Sequence, residues 1–278
     1  VTLTDAIAAA GMTPPRRIVS DRWMRFPGVG KGSSNRSGWC RLITPTIAVF
    51  GDWSSDFSAT WHDETQIDAE AAAKLLEKAR AQAREYARLQ RQQQSKAADK
   101  GAQMIREATM STHPYLARKG FPKLLGLVHD DKLLVPVRDA TNYSRVISVQ
   151  TIDASGAKKF LAGGRTRCGV YRIGVAQGHA RRTILCEGYA TGLSIHAALQ
   201  LLPGPHSIIV CFSAGNLELV AEHFPGALVC ADNDESMRGE QAARATGLEW
   251  RMPPEIGDFN DMHQKHGLYA VTEVLRAT

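Results

Sequence analysis

Three acidic motifs stand in the last third of this 278-residue chain, each just beyond a short apolar run. Glu187 follows Ile184-Leu185-Cys186 and precedes Gly188. Asp232 and Asp234 follow Leu228-Val229-Cys230-Ala231, and Asp258 and Asp261 lie in Gly257-Asp258-Phe259-Asn260-Asp261. Two carboxylates at i and i+2 on an extended or turning segment can point to one side and share a hard, oxygen-preferring cation such as Mg²⁺ or Mn²⁺. Cations held this way serve phosphoryl transfer, where the protein mainly positions groups and neutralises charge. Taken singly each motif says little, because Asp-x-Asp also recurs as a turn or a helix cap.

The charges around these motifs are unevenly spread. Residues 112–183 carry 13 basic and 4 acidic groups, whereas 184–278 carry 5 and 12. A basic stretch joined to an acidic one pairs groups that attract polyanions with groups that attract metal. Arg138, Lys159, Arg165 and Arg167 are among these basic groups.

Other chemistries are less well served. The five cysteines are scattered and lack Cys-x-x-Cys spacing, which disfavours both a zinc site and a disulfide framework and favours reduced thiols in a cytoplasmic protein. Gly28-Val29-Gly30-Lys31-Gly32-Ser33 fails as a phosphate-binding P-loop, since Arg25 stands where the first Gly belongs and Gly32 where Ser or Thr belongs. Cys211-Phe212-Ser213-Ala214-Gly215 lacks the leading Gly of a nucleophile elbow, so Ser213 reads as a turn residue. No histidine is assigned as a ligand. There is no apolar run of about 18 residues, so no membrane partner is expected.

The elements that must position the acidic groups follow from periodicity. Strands over 183–186, 207–212, 227–231 and 249–252 alternate with helices over 190–201, 217–223 and 239–246, which implies a parallel sheet flanked by helices. In such sheets functional groups collect beyond the carboxyl ends of the strands, where all three motifs fall. Upstream, 132–137, 145–152 and 158–161 read as an antiparallel meander, with a turn at Asp153-Ala154-Ser155-Gly156. The stretch 63–108, rich in Ala, Glu, Gln, Lys and Arg with Gly101 as its one breaker, reads as a long helix or a helical pair. Residues 18–61, rich in Gly, Ser, Trp and Phe, read as a small β-rich module.

This combination resembles a TOPRIM domain. The resemblance runs through Cys186-Glu187-Gly188-Tyr189-Ala190-Thr191-Gly192, Phe212-Ser213-Ala214-Gly215-Asn216-Leu217, Ala231-Asp232-Asn233-Asp234 and Gly239. The preceding His113-Pro114-Tyr115-Leu116-Ala117-Arg118-Lys119-Gly120, Leu133 to Asp139, Gly156 to Leu161 and Gly163-Gly164-Arg165 are similar to the basic subdomain of DnaG-like primases of phages and plasmids. Arg25 to Lys31, Asn35 to Trp39 and Phe50 to Trp53 also look like the leading segment of such primases. Only Cys40 lies there, so no zinc is expected.

The resemblance implies a mixed α+β and α/β chain in four parts: a β-rich module over 1–62, a helical linker over 63–111, a basic antiparallel subdomain over 112–182 and a TOPRIM domain over 183–278. It implies an enzyme, a nucleotidyltransferase that makes short RNA primers on single-stranded DNA from ribonucleoside triphosphates for a mobile element, with a replicative helicase or another replication protein as partner. Asp232 and Asp234 would hold Mg²⁺ or Mn²⁺, and Glu187 would be a ligand or the proton acceptor, with Asp258 and Asp261 as weaker ligands; opposite them, Arg138, Lys159, Arg165 and Arg167 would meet nucleotide phosphates or the template backbone. The alternatives are a TOPRIM nuclease and a catalytically weak single-strand or partner-binding module of a larger primase-helicase. The Arg, Lys and Trp residues of the first module could contact phosphates and stack bases, or Trp23, Trp39, Trp53 and Trp61 form a small core.

Overall fold

The computed structural model describes residues 1–20, 22–55, 57–63 and 69–276, and the chain divides into two compact units, Val1–Leu89 and Gln90–Thr278. The first unit opens with helix α1 (Leu3–Ala9), started by a capping box in which the Thr2 hydroxyl accepts from Asp5 N–H and the Asp5 carboxylate accepts from Thr2 N–H. Four antiparallel strands follow in spatial order, β1 (Trp23–Phe26), β2 (Gly38–Thr44), β3 (Ile47–Asp52) and β4 (Phe57–His62). One face of this sheet buries Phe26, Cys40, Ala48 and Phe50 against Leu3, Ile7 and Met12. At roughly 1.5–3 kcal/mol for each large apolar side chain, that burial is what fixes the strand register.

The Gly-rich loop of the first unit is not a phosphate cradle. Gly28 N–H donates to Asn35 Oδ1 and Val29 N–H to Asp52 Oδ2, so the chain's own side chains occupy the donors that a phosphate would need.

Helix α2 runs from Ala69 to Glu107. Residues 64–68, expected from the sequence to begin this helix, lie outside the described residues. The helix passes through Gly101 without a break, because Gly101 lies against strand β8 (Val146–Ile152): a Cβ there would meet Val149 Cγ2 at 3.0 Å and Leu161 Cδ1 at 3.4 Å. The glycine read as a breaker is a packing contact.

The second unit is built on one ten-stranded sheet. Its antiparallel part comprises β5 (Thr109–Ser111), β6 (Gly126–His129), β7 (Lys132–Asp139), β8, β9 (Lys158–Phe160) and β10 (Gly169–Gly174), with the short helix α3 (Pro114–Arg118) between β5 and β6. Its parallel part comprises β11 (Arg182–Cys186), β12 (His206–Val210), β13 (Leu228–Cys230) and β14 (Trp250–Arg251), in the order β14-β13-β11-β12. β10 pairs with β12 on one side and β7 on the other, joining the two parts.

Helices cover both faces of the parallel strands, which is why these strands read as continuous apolar runs. Ile184, Cys186, Ile208, Val210, Leu228 and Cys230 share one core with residues of α4 (Tyr189–Leu199) and α7 (Phe259–Arg276). The alternate residues Leu185, Ile209, Cys211, Val229 and Ala231 share another with α5 (Ala214–Ala221) and α6 (Arg238–Ala245). In this parallel part the observed elements lie within a few residues of those expected from periodicity, with one addition: no helix was expected after residue 252. In the antiparallel part β5, α3, β6 and β10 were not expected. Gly267, at φ +81°, interrupts α7 and breaks its helical period in the sequence.

Among the described residues, no helix is long and apolar enough to cross a membrane.

Candidate functional site

The strand order decides where the acidic groups meet. From β11 the chain leaves through α4 on one face to reach β12; from β13 it leaves through α6 on the other face to reach β14. β11 and β13 are neighbours, with Cys186 opposite Cys230, so a crevice opens beyond their carboxyl ends. Glu187 and Asp232 stand at that crevice.

Glu187 is half-buried, and its carboxylate accepts from Ala214 N–H in the first turn of α5. Burial and the charge of Asp234 nevertheless raise its pKa above the usual range. Asp232 is more strongly perturbed, pushed up to about 8 by burial and by Glu187, Asp258 and Asp234, with Lys158 opposing. Its Oδ1 is buried without a hydrogen-bond partner. A buried carboxylate oxygen left in this condition costs free energy unless a proton or a cation meets it. Gly239, at the start of α6, lets this backbone lie close, because a Cβ there would stand 2.3 Å from the Asp232 carbonyl oxygen.

Asp234 behaves differently. It is exposed, and the Ser236 hydroxyl and the backbone N–H groups of Ser236, Arg238 and Met237 hold its pKa below the usual value. Asn233, between the two aspartates, ties their loop to the next one: its backbone exchanges hydrogen bonds with Gly257, and its Nδ2 donates to the carbonyls of Pro253 and Glu255. That link brings Asp258 to the site. Asp258 Oδ1 accepts from Asn260 and Asp261 N–H at 2.6 and 2.9 Å, while Asp261 Oδ2 accepts from Asp258 N–H at 3.1 Å. The two form a reciprocal cap on α7, and Thr191 donates to Asp258 Oδ2 as well. Among the described residues, no three His, Cys, Asp or Glu side chains stand as a ready-made metal ligand set.

The basic groups surround this cluster unequally. In β9 the period of two sends Lys158 and Phe160 to one face and Lys159 to the other. Lys158 lies with its ammonium 5.8 Å from the Tyr115 ring centroid, and its electrostatic partners include Asp258 and Asp232. Burial and Lys119 lower its pKa, against the pull of those two aspartates. Phe160 packs edge-on against Phe212, which follows β12 at φ +68°. The structure therefore places Lys158, not Lys159, with the carboxylates. Alternation along the Lys158-Lys159-Phe160 run was the signal that could have separated the two.

Arg165 pairs with the buried Asp139, whose carboxylate also accepts from Thr141. Arg138 donates to the carbonyls of Tyr143 and Ser144 and lies over the Tyr143 ring, which Arg172 also contacts. Arg167 sits on the loop ending at Cys168, where the left-handed Cys168 is clamped by Asn216: Asn216 Oδ1 accepts from Cys168 N–H, and its Nδ2 donates to the Gly169 and Cys211 carbonyls. Asn216 lies in the first turn of α5, the turn that also donates to Glu187. Sequence reasoning missed Asn216 and Asn233 as positioning residues, because a lone Asn carries no spacing signal. Ser213, read as a turn residue, caps α5 by accepting from Asn216 N–H.

The profile of the Toprim domain matches residues 182–268, from β11 into α7. The chain carries a Toprim domain. It is also 28% identical over 207 residues to the DNA primase TraC of Escherichia coli, an alignment covering 66% of this chain and 18% of TraC. The chain thus spans about a fifth of that relative's length. Together the two matches bear out the resemblance to plasmid- and phage-type TOPRIM primases.

Similar solved structures include a chain of a bacteriophage T7 assembly of lagging-strand DNA polymerase with primase domains bound to an RNA/DNA hybrid and dTTP, at TM-score 0.44 and 14% identity, covering 61% of this chain and 93% of that one. The RNA polymerase domain of Mycobacterium tuberculosis primase DnaG aligns at TM-score 0.35 and 17% identity, covering 63% of this chain and 72% of that one. A DnaG primase catalytic domain bound to single-stranded DNA aligns at TM-score 0.39 and 15% identity, covering 66% and 70%. These scores lie below 0.5, and the Toprim site is read from its own geometry.

Proposed function

We propose that the Gln90–Thr278 unit is the catalytic part of a DNA primase, a nucleotidyltransferase that joins ribonucleotides on a single-stranded DNA template for a phage, plasmid or other mobile element. The observation that carries this reading is the buried, unpartnered Asp232 oxygen at the Toprim switch point, with Glu187 and Asp258 raising its pKa and Lys158 opposing them. Such an oxygen fits a divalent cation. Asp232 would hold it with Glu187 and, after local rearrangement, Asp234. Asp258 and Asp261, already engaged in capping α7, are the weaker candidates. Bound Mg²⁺ or Mn²⁺ would supply charge neutralisation at the triphosphate and an acidified 3′-hydroxyl.

The remaining work falls to the chain's own groups. Glu187, whose pKa is raised by burial and by Asp234, is suited to accept a proton from the attacking hydroxyl. Lys158 faces the carboxylates with a cation that can meet nucleotide phosphates, and the segment from Arg165 to Arg167, fixed through Asn216, offers a second basic contact for nucleotide or template. Arg138 and Lys159 lie on the same antiparallel part of the sheet and suit the template backbone. A replicative helicase or another replication protein is the partner this reading calls for.

The test incubates the protein with single-stranded template, labelled ribonucleotides and Mg²⁺ or Mn²⁺. Short products that disappear in Asp232→Ala and Glu187→Gln are expected. Template cleavage without products would replace synthesis by nuclease chemistry; binding with neither would leave a single-strand-binding module.

A further inference from the structure

The first unit has a sheet face that its core does not use. Alternation sends Met24, Phe26, Cys40, Leu42, Ala48 and Phe50 toward α1, where they form the core, and sends Trp23, Arg25, Trp39 and Arg41 to the opposite face. The β1–β2 register sets Trp23 across from Arg41 and Arg25 across from Trp39, so rings and cations alternate in both directions. Trp39 is buried flat over β3, and Gly51 makes room for it, since a Cβ there would stand 2.7 Å from the indole. Trp53 extends the row, with its ring centroid 5.2 Å from that of Trp39 and the Arg25 guanidinium 5.2 Å above it.

On this base two rings remain open. Trp23 is 47% exposed and Tyr86, from α2, 46% exposed, with centroids 6.3 Å apart, and the Arg41 guanidinium lies 5.8 Å from the Trp23 centroid. Trp23 also packs on Trp39 and Tyr86 on Trp53, at 5.3 and 6.0 Å between centroids, and each still leaves nearly half of its surface open. Residues 1–62 also carry seven basic against four acidic groups. A partner that gains from this face must offer flat π surfaces and negative charge together. Unpaired nucleic-acid strands do both, whereas a duplex keeps its bases stacked inside.

We propose that this face is a stacking site for single-stranded nucleic acid, with Trp23 and Tyr86 receiving bases and Arg25 and Arg41 receiving phosphates. It is distinct from the Toprim crevice and does not depend on catalysis there.

The test titrates the full chain with a single-stranded oligothymidylate, reading intrinsic tryptophan fluorescence alongside the anisotropy of a labelled strand. Quenching on binding is expected. Trp23→Ala should weaken binding about tenfold and remove part of the quench, with Trp23→Phe restoring most of the affinity. The pair Arg25→Ala with Arg41→Ala should flatten the salt dependence of binding. Trp61→Phe, on the core face, should leave the affinity unchanged. Wild-type affinity and quenching in Trp23→Ala would overturn the proposal, as would equal quenching by a blunt duplex. Asp232→Asn separates the two readings: it should abolish synthesis and keep the quench, whereas a wild-type chain that quenches but makes no product with template, ribonucleotides and Mg²⁺ or Mn²⁺ would sink the primase reading and leave this one standing.

Discussion

The loop after β13 and the loop before α7 each carry two aspartates, and in the sequence they look equally able to bind metal. The structure gives them opposite conditions. Asp258 and Asp261 spend their oxygens on backbone N–H groups and on Thr191, and so start a helix. Asp232 is half-buried, with its Oδ1 wholly buried and without a hydrogen-bond partner and its pKa pushed up to about 8. Carboxylates whose hydrogen bonds are complete hold structure; a carboxylate kept under electrostatic stress is available for chemistry.

The sharpest way to break this contrast is Asp232→Asn. Product formation should fall by at least about 10³-fold, the scale expected when a group stabilising transition-state charge is lost. The same change should stabilise the metal-free protein. A carboxyl whose folded pKa lies above its unfolded value binds more protons folded than unfolded, so its contribution weakens stability as pH rises from about 4 to about 8. Melting curves in chelator should show Asp232→Asn above wild type at pH 8 and converging with it at pH 4. Added Mg²⁺ or Mn²⁺ should raise the wild-type melting temperature more than that of the variant. A variant less stable than wild type at pH 8 would mean that Asp232 has a satisfying partner after all.

Next in size is the pair of lysines on β9. Lys158→Ala should lower activity by about 10²-fold and raise the Asp232 pKa further, because the cation opposing it is gone. Lys159→Ala, on the opposite face of the strand, should mainly weaken template binding and steepen no pH profile. Equal losses in the two variants would show that strand alternation does not organise this site.

How much of this was readable beforehand depends on the kind of signal. The parallel strands were plain because two-sided burial writes uninterrupted apolar runs such as Ile208-Ile209-Val210. The placement of Glu187 and Asp232 followed from strand ends. The helix α7 was hidden by Gly267, and the antiparallel strands β5 and β6 by their brevity. Partner choice was not readable at all: nothing in Asn233 announces that its amide reaches two carbonyls twenty or more positions away. The same holds for Arg165, whose match with Asp139 depends on how β7 and the loop before β10 come together.

Asn233→Ala tests the link between the two aspartate loops. It removes both amide hydrogen bonds and leaves two carbonyls to find water, a loss of about 1–3 kcal/mol in unfolding free energy by chemical denaturation. Activity should fall through turnover more than through template affinity, since the loop carrying Asp258 would no longer be fixed against Asp232.

The smallest effects should come from Asp258 itself, and they decide what that residue is. As a cap, Asp258→Ala should cost about 1 kcal/mol of stability, whereas Asp258→Asn should cost little, because an Asn oxygen accepts the same N–H groups. Asp258→Asn also removes one of the charges raising the Asp232 pKa, so the Asp232 titration should move down from about 8 and the alkaline loss of stability should shrink. If Asp258→Asn keeps near-wild-type synthesis, Asp258 belongs to the helix and acts on the site only through its charge. A loss approaching that of Asp232→Asn, at unchanged stability, would instead move Asp258 into the ligand set and erase the distinction between the two loops.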